Sequence, residues 1–289
     1  MSRALRVLQG EFGRVALLDM NRPLVRHAHH HCHMLFKVGG ADTAFDVNGT
    51  PSPLTDTSVV LVNAWEPHCY HHLADTPRTE ILAFYLEPAW LARIDRIFAA
   101  SNHRNFFADP CVGLDERTRA LVQRLAGEVA FDVLDDPAEI QARIFEVTTA
   151  VAHRFSNWRG IAPELAPQRA AFDHRIRRSI AHMREHGRHP LNADRLACVA
   201  GLSRPRFFEL FKACTGLTPN LYASTLLVEG AISRLSGTEN AIAGIAAELG
   251  FSEQGNFTRF FSQHVGCTPS DYRRKVDLLA ATNQNNQTI

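Results

Sequence analysis

The sequence predicts an α+β chain of two domains: a strand-rich N-terminal domain completed by helices, then an all-α C-terminal domain built around two helix-turn-helix motifs. Three observations carry this expectation. Up to Glu87 the chain breaks into short apolar runs separated by turn signals, from Pro88 the apolar period becomes helical, and a stretch beginning near Leu196 returns about fifty residues later. A length of 289 residues also exceeds the usual single-domain range, so two cores are expected.

The strand-like runs are VALLD, HMLFKVGG, TAFDVNG, SVVLVN and EILAFYLE, parted by turn-forming NGTPSP and ADTP. Five such runs at this spacing suggest a sandwich or barrel. Three helical stretches follow, PAWLARIDRIFAAS, DERTRALVQRLAGEVAFDVL and PAEIQARIFEVTTAVAHRF. In the last two, Leu121, Leu125, Val129 and then Ile140, Ile144, Val147, Val151 form stripes that cover a core or meet a partner helix. Ser156 to Ala171 carries two prolines and no period, and reads as a linker. The expected division is therefore 1–155, a linker over 156–171, a helical domain over 172–275, and a polar, flexible tail over 276–289.

Composition narrows the function classes. A net charge of +1 with 45% hydrophobic residues describes a soluble globular protein. There is no apolar run of membrane-spanning length and no signal-peptide core, so a cytoplasmic location is expected. The six cysteines are scattered without a C-x-x-C pair, which argues for reduced thiols rather than disulfides or a zinc knuckle. Charge is uneven: Phe172 to Lys275 holds 14 Lys and Arg against 9 Asp and Glu, the remainder 17 against 21. The basic part is the helical one, as a polyanion partner would require.

The repeat specifies the chemistry. Leu196, Ala197, Gly201, Leu202, Ser203, Phe208 and Phe211 return 49 residues on as Ile245, Ala246, Gly250, Phe251, Ser252, Phe257 and Phe260. After one inserted residue, Gly216, Thr218, Pro219 and Tyr222 return as Gly266, Thr268, Pro269 and Tyr272. Each copy reads as a helix, a tight turn and a second helix. The alanines let two helices cross closely, Gly201 and Gly250 supply the positive φ of a sharp turn, and Ser203 and Ser252 are expected to cap the helix that follows. Phe207, Leu210, Phe211 and Cys214 form the buried stripe of the first copy, and Phe257, Phe260 and Phe261 that of the second.

In a helix-turn-helix the N-terminal half of the second helix meets base edges in the major groove. The outward residues there are Arg204, Arg206, Phe208 and Glu209, then Glu253, Gln254, Asn256 and Arg259. Arg pairs with guanine, Gln or Asn with adenine, Glu with the cytosine amino group, and Phe with a thymine methyl. Arg177, Arg178, Lys212, Arg273 and Arg274 are candidates for phosphate contacts.

On ADRLACVAGLSRPRFFELFKACTGLTPNLY and AIAGIAAELGFSEQGNFTRFFSQHVGCTPSDYRR, the chain resembles the AraC/XylS family of bacterial transcription regulators. The resemblance implies two recognition helices in successive major-groove faces about 34 Å apart, joined by a long helix. It further implies operator DNA, RNA polymerase and a small-molecule effector as partners, a homodimer, transcriptional activation, and association with the nucleoid when DNA is bound. One departure stands out: family members place arginines on the joining helix where this chain has Leu227 and Gly230.

Over the first 155 residues the likeness is to members with a cupin-like β-barrel sensor followed by dimerisation helices. Near its start stands HAHHHCH, five histidines in seven residues. By that resemblance His27, His29, His33 and His68 fall where metal cupins place their ligands, with His33 in place of the usual glutamate. Read as a strand, the run turns His27, His29, His31 and His33 to one side and His30, Cys32 and Met34 to the other. Neutral imidazoles suit a divalent cation such as Zn, Ni or Fe(II). A metal-free pocket lined by the same histidines with Trp65 and Tyr70 is the competing reading. A metal-dependent cupin enzyme fused to a DNA-binding module is the alternative function, but the only nearby carboxylates are Glu66 and Asp75, and neither is placed as a general base.

Overall fold

The computed structural model describes residues 2–72, 75–94, 96–131, 136–161 and 173–279. The N-terminal half holds β1 (Arg3–Gly10), β2 (Gly13–Met20), β3 (Cys32–Gly40), β4 (Thr43–Val47), β5 (Thr50–Leu54), β6 (Ser58–Val62), β7 (His68–His71), β8 (Thr79–Leu86) and β9 (Cys111–Gly113). Its helices are α1 (Pro88–Ile94), a 3-10 turn at Arg96–Ala100, α2 (Glu116–Phe131), α3 (Pro137–Phe155) and α4 (Trp158–Ile161). The second half holds α5 (His174–His186), α6 (Ala193–Ala200), α7 (Arg204–Thr215), α8 (Pro219–Gly237), α9 (Ile242–Glu248), α10 (Gln254–Val265) and α11 (Pro269–Lys275), then β10 (Val276–Leu278).

The strands form two sheets, a seven-stranded one in the order β10-β1-β2-β8-β3-β6-β9 and a three-stranded one in the order β5-β4-β7. The larger sheet ends in β10 and β9 without joining them, so the expected barrel is not closed. One face is covered by α2 and α3, whose stripe residues Leu125, Val129, Ile140, Ile144, Val147 and Val151 are buried with Phe12, Phe36 and Phe84. These stripes serve the chain's own core; on the two helices Phe131 and Phe145 are the large apolar side chains left exposed.

The other face of the sheet is covered partly by the three-stranded sheet, through Phe45, Val47, Leu54 and Tyr70, and partly by the C-terminal helices. Ala4, Val7, Leu18, Met20 and Leu35 share one apolar cluster with Leu227, Ala231, Leu235, Ile245, Phe257 and Tyr272. Leu227 is therefore buried beneath the sheet, which explains an apolar residue where the family places arginine. Backbone and side-chain bonds tie the halves: Ala4 N–H donates to Asp271 at 2.9 Å, Ser236 to Gln9 at 2.8 Å, and Val25 N–H to the Gln263 carbonyl at 3.1 Å.

Two segments differ from their sequence reading. Val276–Leu278, expected to begin the flexible tail, instead pair in parallel with Val7, Leu8 and Gln9 of β1. Residues 280–289 lie outside the described residues. Within the expected linker, Ser156 bridges Phe107 and α4 buries Ile161, while 162–172 lie outside the described residues.

Candidate nucleic-acid interface and histidine centre

Each repeat folds as a pair of helices about a sharp turn. Gly201 has φ +67° and Gly250 φ +88°. At both, the glycine N–H and the next N–H donate back to carbonyls of the first helix: Gly201 to Cys198 and Leu202 to Ala197, then Gly250 to Ala247 and Phe251 to Ala246. The capping expectation is corrected. Ser203 sits at the N-cap of α7 without a side-chain bond, and the N-cap of α10 is Glu253 rather than Ser252. The buried pairs are Phe207 with Phe211 and Phe257 with Phe261, fifty residues apart. The inserted residue thus lies in the second turn, between Gly250 and α10, rather than after Phe211. With that register Arg204 matches Gln254, Arg206 matches Asn256 and Glu209 matches Arg259.

These six residues and Glu253 and Lys212 are exposed on the two helices. Arg204 pairs with Asp194 at 3.3 Å and Arg206 with Glu209 at 3.2 Å, exposed pairs weak enough to exchange for nucleic-acid contacts. Phe208 is half-buried, edge-on to Phe207 with the Arg204 guanidinium over its ring, so packing takes part of the face expected to meet thymine. Among the phosphate candidates, Arg177, Arg178 and Arg274 are exposed; Arg178 donates to the Val199 carbonyl and Arg274 pairs with Asp271 at 2.7 Å. Arg273 is half-buried and donates to the Leu235 carbonyl at 3.3 Å, so it is drawn into the molecule.

Most of the histidine run is a strap between β2 and β3, with Cys32 and His33 opening β3. His27, His29, His31 and His33 are buried and His30 is half-buried, but Cys32 and Met34, expected on the opposite side, are buried as well. A two-way backbone bridge of 2.9 and 2.8 Å holds His27 to His68. Ring centroids lie 4.3 Å apart for His27 and His68, 4.9 Å for His29 and His68, and 4.7 Å for His29 and His33. Each Nδ1 faces a carbonyl: His27 that of Val25 at 2.8 Å, His29 that of His31 at 3.3 Å, His33 that of Phe84 at 2.9 Å, and His68 that of Glu66 at 2.9 Å. A carbonyl only accepts, so Nδ1 carries the proton and Nε2 carries the lone pair. Burial, reinforced by the neighbouring imidazoles, holds His27, His29 and His33 well below the ordinary histidine value and brings His68 to about 3. All four are neutral near pH 7.

The structure divides the sequence-predicted ligand residues. His27, His29 and His68 offer nitrogens within 4.8 Å of one another, and His33 borders them. His31 joins a second group with His30 and Glu87, where His30 Nε2 is 3.1 Å from the Glu87 carboxylate. Tyr70 is in the core against Phe45 with its hydroxyl on His72, and Trp65 stacks on Tyr222 of α8 at 4.8 Å and 5°; neither lines the histidine cavity.

That cavity lies between the halves, with Arg14, His27, His29 and Tyr85 on one side and Thr225, Glu229 and His264 on the other. Arg14, buried in β2, reaches both Glu229 oxygens at 3.3 and 3.4 Å and lies 4.0 Å over the Tyr85 ring. Sequence reading missed this pair. Its signal is one charge inside each of two apolar runs, GRVALL and LLVEGAI.

A model described as a helix-turn-helix domain matches residues 196–275. Regulatory protein SoxS of Escherichia coli is 35% identical over 97 residues, 34% of this chain and 91% of SoxS. HTH-type transcriptional activator RhaS of Citrobacter koseri is 24% identical over 256 residues, covering 87% of this chain and 88% of its own. For two other curated regulators the chain spans only about a third of their length, 31% and 36%. The fold resembles that of apo ToxT K231A from Vibrio cholerae, with a TM-score of 0.54 at 10% identity over 91% of this chain and 97% of that one. ToxT has also been solved with an unsaturated fatty acid bound, TM-score 0.50 at 13% identity over 95% of each chain. No helix among the described residues is long and apolar enough to cross a membrane. Two glycine-hinged helix pairs with exposed polar second helices, together with SoxS matched over nearly its whole length, make this chain a member of the AraC family of DNA-binding transcriptional regulators.

Proposed function

We propose that this chain is a sequence-specific transcription activator in which α7 and α10 act as the recognition helices of two helix-turn-helix units and read neighbouring stretches of an operator. The observation that carries this is the paired exposure of Arg204 with Gln254, Arg206 with Asn256 and Glu209 with Arg259 at matching helical positions. All are side chains able to form bonds with base edges. The name of RhaS supports activation over repression. Through the sheet packed on α8 and α10, the N-terminal domain controls how the two helices are presented, and the chain acts as a homodimer through the outer face of α2 and α3, where Phe131 and Phe145 are exposed.

Selection of bound sequences from a random duplex pool tests the reading. Wild type should yield a consensus with two segments about one helical turn apart. Gln254→Ala and Arg259→Ala should each relax one position of one segment, with about 1–3 kcal/mol of discrimination lost per base contact. An unchanged consensus in both variants overturns the assignment of α10. Sedimentation of the purified chain tests the dimer, and a monomer at micromolar concentration rejects it.

A further inference from the structure

We infer that His27, His29 and His68 bind one divalent transition-metal ion of the zinc class, and that this ion fixes the strap carrying His27 and His29 against α8 and α10. The first part stands on geometry. Three imidazoles from the strap and β7 offer nitrogens within 4.8 Å of one another, all three residues buried. Each Nδ1 is engaged by a backbone carbonyl, which fixes the ring and leaves Nε2 as the free donor atom, the outer-shell arrangement of a histidine ligand. His29 Nε2 and His68 Nε2 are fully buried with no hydrogen-bond partner. A buried acceptor with nothing to accept from is costly, and a cation relieves that cost for His29 and His68 at once.

Ligand chemistry selects the ion. An all-imidazole set favours zinc, copper, nickel or cobalt over magnesium or calcium, which require oxygen donors. Tetrahedral bonds of about 2.0–2.1 Å place ligand nitrogens about 3.3 Å apart, so the rings close by small side-chain rotations. The Arg14 charge beside the site is paired with Glu229, which offsets part of its repulsion of a cation. The cavity that His27 and His29 line has room for a water as a further ligand.

The second part follows from what holds the strap. Val25 N–H donates to the Gln263 carbonyl of α10 at 3.1 Å, and the Thr225 hydroxyl of α8 donates to the Ala28 carbonyl at 2.8 Å. Val25 and Ala28 flank His27, and Trp65, three residues before His68, stacks on Tyr222 of α8. An ion joining strap to β7 therefore sets the surface on which α8 and α10 dock. The regulatory consequence rests on reading α10 as a DNA-contacting helix; the ion and its effect on docking do not.

The test uses the full chain without an affinity tag, stripped by chelator. Titration with Co(II) should give a d–d absorption band saturating at one equivalent and displaced by Zn(II). His29→Gln and His68→Gln should each weaken Co(II) binding at least tenfold, while His71→Ala, on the exposed end of β7, should bind as wild type. Should either glutamine variant lose its far-UV circular dichroism, the wild-type stoichiometry, read by elemental analysis after zinc dialysis, decides. No band in wild type, or full-strength binding in both glutamine variants, overturns the site. Hydrogen exchange needs no DNA: zinc should slow amides of the strap, α8 and α10 at least tenfold. Unchanged exchange in α8 and α10 with zinc bound overturns the coupling, and loss of sequence selectivity with both results intact would implicate the DNA reading alone.

Discussion

At the scale of single residues, the Arg14–Glu229 pair is a largely buried ion pair between the halves. Arg14 is 7% exposed, its guanidinium covered by Tyr85, and Glu229 is its partner through two contacts. Removing one member of a buried pair strands the other charge in low dielectric, at a cost of about 3–5 kcal/mol. Glu229 retains some solvent, so Glu229→Gln should cost about 3 kcal/mol in denaturant unfolding. Replacing both, as Arg14→Met with Glu229→Leu, should restore most of it, because the desolvation penalty disappears with the charges. A double variant no more stable than Glu229→Gln would show that the pair is net favourable in place. The two residues were illegible as a pair in the sequence because 215 positions separate them and only the fold brings β2 against α8.

At the scale of elements, the two helix pairs share a turn but differ in what surrounds it. Around Gly201 nothing lies within 4 Å of an added Cβ, whereas at Gly250 it would stand 2.6 Å from the His189 carbonyl oxygen. Gly201→Ala should therefore cost only the left-handed backbone term, about 1–2 kcal/mol. Gly250→Ala adds a clash with backbone that cannot swing aside and should be clearly more destabilising. Equal midpoints for the two variants in urea would contradict this ranking. The glycines, the aromatic stripes and the helices were legible because period and turn chemistry are local. The place of the inserted residue was not: Phe207 and Phe208, like Phe260 and Phe261, are adjacent, and only burial tells which of each pair faces in. β1 and β5 were missed for different reasons. RALRVLQG lacks clean alternation, and TPSPL carries two prolines, which suit a strand at the edge of the small sheet. The histidine alternation held only in part: the bridge to His68 brings His27 and His29 to that residue, whereas His31 joins His30 and Glu87.

At the scale of the whole molecule, the N-terminal sheet serves two cores, one with α2 and α3 and one with the helices of the DNA-binding half. The sequence could not show this sharing, since strands buried on both faces read as continuous apolar runs whatever covers them. The histidines lie at the seam, which makes stability of the metal-free protein depend on acid. His27, His29, His31 and His33 are held well below the ordinary value by burial, and His68 is brought to about 3, whereas in the unfolded chain each titrates near 6.5. The unfolded state thus binds more protons between those values, so the stability these groups permit is fully present above pH 6.5 and is lost as pH falls toward the folded values. At pH 5.5 the loss is about 1.4 kcal/mol for each imidazole that stays neutral in the fold. Five together rival the whole stability of a typical domain, about 5–15 kcal/mol, so the seam should open before all five are forced to remain neutral. Calorimetry of chelator-treated protein should show Tm dropping steeply between pH 7 and pH 5.5, with His29→Gln flattening the profile because one proton-binding group has been removed. A Tm constant across that interval would mean that the imidazoles are already solvated or charged, and that the seam is not the closed, neutral cluster its geometry describes.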